Sequence, residues 1–233
     1  METGHPKKNG PRGALIVIEG LDRAGKSTQC ERLLETLQEK KHEVKYRRFP
    51  DRTTEIGKMI NAYLVGNTQV DDHAIHLLFS ANRWEVAAEI EQDISNGITV
   101  IIDRYSYSGV VYSAAKHNPS LSLDWAWQPE IGLPRPDIWL FLNISAEEAA
   151  KRGGYGLERY ENDTHQSRVR QLYQALIERE SPEAVCVVDA GRSEAEVEQD
   201  ILVAVMKSVD NVESIGPLRK LGPLPPPPGT SQA

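Results

Sequence analysis

Five short apolar runs recur along the chain, and most are followed by residues on a helical period. Ala14-Leu-Ile-Val-Ile18 is the first, and an unbroken run of that kind reads as a strand buried on both faces. Thr28 to Lys41 follows, with Leu33, Leu34 and Leu37 spaced for one side of a helix. A second strand over Glu43 to Arg48 stops at Phe49-Pro50, because proline has no N–H to give a ladder. A short helix carries Ile56, Met59, Ile60 and Tyr63 on one face. One long helix is expected from about Asp72 to Ser95, with Asp71 and Asp72 at its positive end and Asn96-Gly97 closing it. The third strand is Ile98 to Ile102, ending at Asp103; the fourth is Ile138 to Leu142; the fifth is Val185 to Val188. Ser145-x-x-Glu148 and Ser193-x-x-Glu196 have the spacing of capping boxes. The alternation predicts an α/β fold, a five-stranded parallel sheet with helices on both faces. Ligands on such sheets bind beyond the carboxyl ends of the strands, where Gly20, Phe49, Asp103 and Asp189 all fall.

The 233 residues are enough for one domain with a well-buried core. A net charge of −7 argues against a nucleic-acid-binding surface. Cys30 and Cys186 share no motif, so both read as reduced residues of a cytosolic or nuclear protein. No apolar run reaches membrane-spanning length, and residues 1–12 are polar, which suggests a disordered tail. The domain is expected over 13–210. Residues 211–233, with Pro225 to Pro228 in a row, are expected to form a disordered, polyproline-type tail.

The chemistry starts where the first strand ends. Gly20-Leu-Asp-Arg-Ala-Gly25-Lys26-Ser27 fits the phosphate-loop pattern G-x-x-x-x-G-K-[ST] at every fixed position. Its glycines let backbone N–H groups approach a polyphosphate, and the helix that follows points its positive end at the same charge. Lys26 would reach the outer phosphates, and the Ser27 hydroxyl would hold Mg²⁺. Asp103 fits the carboxylate that supports that ion or its water shell; the alternative is a cap on the next helix. Arg104 needs a partner at this depth, and its fork suits phosphate oxygens. Arg23, inside the loop, is either an arginine finger supplied in cis or a solvent-facing side chain.

No Asn-Lys-x-Asp guanine reader occurs, and the chain is short for a motor or transport ATPase. A nucleoside or nucleotide kinase fits better, and such an enzyme needs an acceptor pocket. Phe49-Pro-Asp-Arg52 supplies an aromatic face and a fixed arginine. Phe79 and Arg83 stand at i and i+4 of a helix; they either stack on and bond a base, or are core and surface charge.

Those stretches, with Leu78-Phe-Ser-Ala-Asn-Arg-Trp84, Asp103-Arg-Tyr-Ser-Tyr-Ser-Gly109 and Arg152 to Glu161, resemble the thymidylate kinase family. The eukaryotic type, with arginine in the phosphate loop, is the nearer match, from about Gly13 to Val209. The resemblance implies a homodimer that transfers the ATP γ-phosphoryl group to dTMP, with Mg²⁺, to give dTDP for DNA synthesis. It implies that Asp22 accepts from the dTMP 3′-hydroxyl while Arg52 and Arg104 hold its phosphate. Phe79 would stack on thymine, and Arg83 would bond an edge carbonyl. Tyr105 would crowd out a ribose 2′-hydroxyl, with Ser108, Gly109 and Tyr112 lining the base pocket and Tyr160 closing it. Ala24, Gly25, Lys26, Ser27 and Thr28, with Arg23, would take ATP phosphates and Mg²⁺, and Arg152 would lie near adenine. A glycine-rich lid is implied over about 151–161. The segment from Asn118 to Asp124 departs from the animal enzymes of the family by being slightly longer. Two rivals stand beside this reading: another phosphate-loop kinase, opposed by Arg52 and Tyr105, and a non-catalytic nucleotide-binding module, opposed by Lys26, Asp103 and Arg104.

Overall fold

Every residue of the first strand, β1 (Leu15–Gly20), is buried, as is every residue of β3 (Thr99–Asp103). Burial on alternate sides of a strand requires cover on both faces of the sheet. That sheet is wholly parallel, in the order β2 (Val44–Arg48), β3, β1, β4 (Ile138–Asn143), β5 (Val185–Asp189). Ile18 pairs with Asp103 and Gly20 with Leu142, so the carboxyl ends of the three central strands lie level. The computed structural model describes residues 11–152, 159–160 and 163–229.

Helix α1 (Lys26–Glu39) packs on the sheet and on α9 (Glu194–Asp210), burying Cys30, Leu33 and Leu37. Helix α5 (Ser106–Ala114) packs against β1, α6 (Leu123–Trp127) and α8 (Asp163–Ile177). Ser145 caps α7 (Ala146–Lys151) by accepting from Glu148 N–H, and Ser193 and Glu196 form a full capping box on α9. A second apolar cluster, Ile60, Tyr63, Leu64 and Ile75, joins α2 (Glu55–Leu64) to α3 (Asp72–Trp84) beside the strand ends.

Three expectations change. The long helix is two: α3 ends at Trp84 and α4 (Ala87–Ser95) begins after Val86, whose φ of −119° breaks the ladder. Arg12 belongs to the fold and not to a tail, because the buried Asp137 carboxylate takes its guanidinium at 2.7 and 2.8 Å. The chain beyond 210 is also docked through residue 224. Helix α10 (Val212–Ile215) follows α9, and Leu221 exchanges backbone hydrogen bonds with Gly132 and Leu133, both at 2.8 Å. Leucines set among the prolines explain it: Leu221 is buried, and Leu218 and Leu224 pack against the core. Residues 1–10, 153–158, 161–162 and 230–233, including most of the expected lid, lie outside the described residues.

Candidate active site

Gly25 begins α1 with φ 86°, a conformation glycine adopts without strain, and no side chain caps the helix. The N–H groups of its first turn are therefore open to an anion. Arg23 and Arg104 also sit at φ 66°, where a side chain costs about 1–2 kcal/mol. Both strained residues lie on the wall of one cavity at the strand ends, of about 450 Å³. Lys26 donates to the Leu21 carbonyl at 2.6 Å. Burial, with Arg104 adding to it, pulls its pKa down to about 8.

Ser27 Oγ donates to Asp103 Oδ2 at 2.6 Å, and Asp103 Oδ1 is buried with no hydrogen-bond partner. A buried carboxylate oxygen left unmatched beside a hydroxyl is a hard-oxygen pair suited to Mg²⁺. Among the described residues no group of three or more His, Cys, Asp or Glu forms an all-protein cage. Tyr46 donates to Asp103 Oδ2 at 3.3 Å, and Arg48 Nε lies 3.7 Å from it.

Beside this half, Arg104 reaches Asp22, Gly20 O and Ser108 Oγ, the last two at 3.2 Å. Gln166 donates to the other Asp22 oxygen at 2.7 Å. Burial alone would push the Asp22 carboxyl up; Arg104 and Lys26, with hydrogen bonds from Tyr112 and Gln166, outweigh it and hold the group below its usual range. Underneath lies Glu19, fully buried. Its Oε1 accepts from the backbone N–H of Tyr105 at 2.8 Å and of Ser108 at 3.1 Å, and its Oε2 from the hydroxyls of Ser108 and Tyr173. No side chain of its own caps α5, so Glu19 of β1 does so from across the fold.

The third part of the cavity is mostly apolar. Phe79 of α3 stands there, with Tyr112 and Tyr160 at a ring separation of 5.8 Å. Arg83 is buried and gives Nε and Nη2 to Glu130 at 2.7 and 2.5 Å, so it is neither a surface charge nor unpaired. Its guanidinium lies close against α5 at Gly109, where a Cβ would come within 2.5 Å of Nη2. The Tyr105 hydroxyl is buried without a hydrogen-bond partner. Arg52 is exposed on the rim and bonds Asn61 Oδ1 at 2.9 Å.

Of the residues expected at the site, all but Gly20, Ala24, Arg152 and Asp189 line this one cavity. Ala24 is packed into the core beneath the loop. Arg152 sits just behind: it donates to the carbonyls of Arg23 and Ala190, and Arg23 donates back to Arg152 O at 2.9 Å. Arg48, Leu64 and Ser113 line the cavity without having been anticipated, and Glu19, Glu130 and Gln166 support it. Glu19 carried a signal, a carboxylate interrupting an apolar strand. Asn118 and Lys116 bond Asp72, which fastens the extended segment to the start of α3.

The family model for thymidylate kinase matches residues 18–201. A thymidylate kinase of Arabidopsis thaliana is 49% identical over 211 residues, covering 91% of this chain and 78% of its own. That of Homo sapiens is 48% identical over 192 residues, covering 82% and 89%. Among solved structures, a Candida albicans thymidylate kinase, described as having broad substrate specificity, superposes with a TM-score of 0.76. It is 35% identical and covers 91% of this chain and 99% of that one. Matches of this extent, on a chain whose phosphate loop, Asp103 and aromatic pocket share one cavity, establish that it belongs to the thymidylate kinase family.

Proposed function

We infer that this chain transfers the γ-phosphoryl group of ATP to dTMP, giving dTDP and ADP. The observation that carries this is the continuity of one cavity from the phosphate loop to the pocket of Phe79 and Arg83. A donor phosphate bound at the start of α1 and an acceptor held by Arg52 and Arg104 meet within it. Catalysis of this kind is chiefly positioning and neutralisation of charge. Lys26 and the open N–H groups of α1 hold the ATP phosphates; in the resting chain Lys26 waits on the Leu21 carbonyl. Arg23 spans oxygens of the moving group, steadied by its exchange with Arg152. Asp22, kept ionised by Arg104, receives the acceptor's 3′-hydroxyl. Ser27 and Asp103, directly or through water, would hold Mg²⁺, which would supply positive charge to the phosphate oxygens. Tyr105 excludes a ribose, while Ser108, Gly109, Tyr112 and Tyr160 enclose the base that Phe79 stacks on.

A second copy would associate through α2 and α3. Ile60 is taken up wholly inside this chain, and Ile56 and Leu78 pack on the same cluster. The surface left to a partner is Ala74 and Leu77 of α3, with the exposed Met59 and Trp84 beside them. No helix among the described residues is long and apolar enough to cross a membrane. Two unbridged cysteines suit the cytoplasm or nucleus. Incubation with γ-labelled ATP, Mg²⁺ and dTMP should place the label in dTDP; label released only as inorganic phosphate would refute the reading.

A further inference from the structure

The cavity wall that carries Gly109 continues one turn along α5 to Ser113, which is tied to a buried histidine that no motif explains. His76 of α3 has both ring nitrogens engaged: Nδ1 lies 2.7 Å from Ser113 Oγ, and Nε2 lies 2.8 Å from the Ala126 carbonyl oxygen. A carbonyl only accepts, so Nε2 carries the proton. Burial, then the nearby Arg83 charge, pulls the ring's pKa down to about 4, and the ring is neutral at pH 7. Its Nδ1 then offers only a lone pair, and Ser113 must donate its hydroxyl proton to it. What Ser113 Oγ has left for any other neighbour is acceptor capacity alone.

One turn back along the same wall lies Arg83, which can only donate. The cavity thus sets a donor and a forced acceptor side by side. We propose that His76 is a positioning residue for base selection: by holding Ser113 Oγ as an obligate acceptor, it makes this wall read N3–H beside a 4-carbonyl. That is the edge of thymine or uracil. Cytosine would turn its N3 lone pair toward Ser113 and its 4-amino hydrogens toward Arg83, leaving polar groups unmatched, which a closed site penalises strongly. The proposal rests on the dTMP reading and adds to it the residue that fixes the hydrogen-bond polarity of the base wall.

The test is kcat/KM for dTMP, dUMP and dCMP in the wild type, Ser113→Ala, His76→Leu and His76→Gln. Wild-type phosphorylation of dTMP checks the underlying reading by itself. Ser113→Ala and His76→Leu should each raise the dCMP-to-dTMP ratio roughly tenfold, chiefly through KM for dTMP. The dUMP-to-dTMP ratio should stay put, because uracil shares the N3–H. His76→Gln should keep wild-type selectivity, its amide donating to Ala126 and accepting from Ser113. An unmoved dCMP ratio in Ser113→Ala would overturn the proposal, as would dUMP and dCMP rising together, the mark of a merely loosened pocket. If His76→Leu does not fold, Ser113→Ala decides alone.

Discussion

Lys26 is only 6% exposed, and its ammonium is less stable in the fold than in water. Its pKa falls from 10.5 to about 8, so protonation opposes folding. The penalty is complete below pH 8, shrinks as pH rises toward 10.5 and vanishes above that. Lys26→Met should therefore be more stable than the wild type at pH 7, by about 3 kcal/mol at most, and melt higher, with the gap closing as pH passes 10. Phosphoryl transfer should be lost at every pH. Equal melting at pH 7 would mean that the hydrogen bond to Leu21 offsets burial. The two arginines near phosphate should fail differently. Arg52 would touch acceptor phosphate in ground and transition state alike, so Arg52→Ala should raise KM for dTMP at least as much as it lowers kcat. Arg23 would act on moving charge, so Arg23→Ala should cut kcat by roughly 10³–10⁵ with KM nearly intact. Arg23→Lys should not rescue it, since a point charge lacks the planar fork. Steady-state kinetics decide, and wild-type kcat in Arg23→Ala would make Arg23 a bystander.

Among the elements, β1 and α5 are joined through a single carboxylate. Glu19→Gln keeps the shape but puts an amide N–H₂ where an acceptor stood. The change should lower stability by about 1–3 kcal/mol and raise KM for dTMP, because Arg104 and Ser108 ride on the segment Glu19 holds. Thermal melts with dTMP titrations check both, and unchanged values would show that the α5 terminus needs no cap from β1. The three central strands and their chemistry were legible because each is a buried apolar run with a polar residue at its carboxyl end; β2 and β5, at the sheet edges, are only partly buried. The break between α3 and α4 was not, since Glu85-Val86 carries neither glycine nor proline and the apolar period runs across it. Arg83 and Phe79 were readable as a pair on one helix face. The carboxylate that orients Arg83 was not, because Glu130 is distant in sequence and only the fold brings it near. His76 and Ser113 escaped for the same reason.

In the whole molecule, apolar surface on α2 and α3 should bring two chains together. Met59 is 56% and Leu77 47% exposed, large for side chains with no role in a lone chain. A Met59→Glu, Leu77→Glu double variant should sediment as a 26.0 kDa chain while the wild type sediments at twice that mass. A monomeric wild type at micromolar concentration would rule association out. The docked C-terminal stretch was hidden by composition: a run of prolines reads as extended and solvated, whereas Leu218, Leu221 and Leu224 pin it to the core. The account as a whole stands on which acceptor the cavity prefers. Measuring kcat/KM with ATP and Mg²⁺ for dTMP, dUMP, UMP, AMP and thymidine should place dTMP first. It should place dUMP lower by about 10–200-fold, the reach of one methyl in an apolar pocket, and the other three near background; preference for AMP or for thymidine would contradict the account.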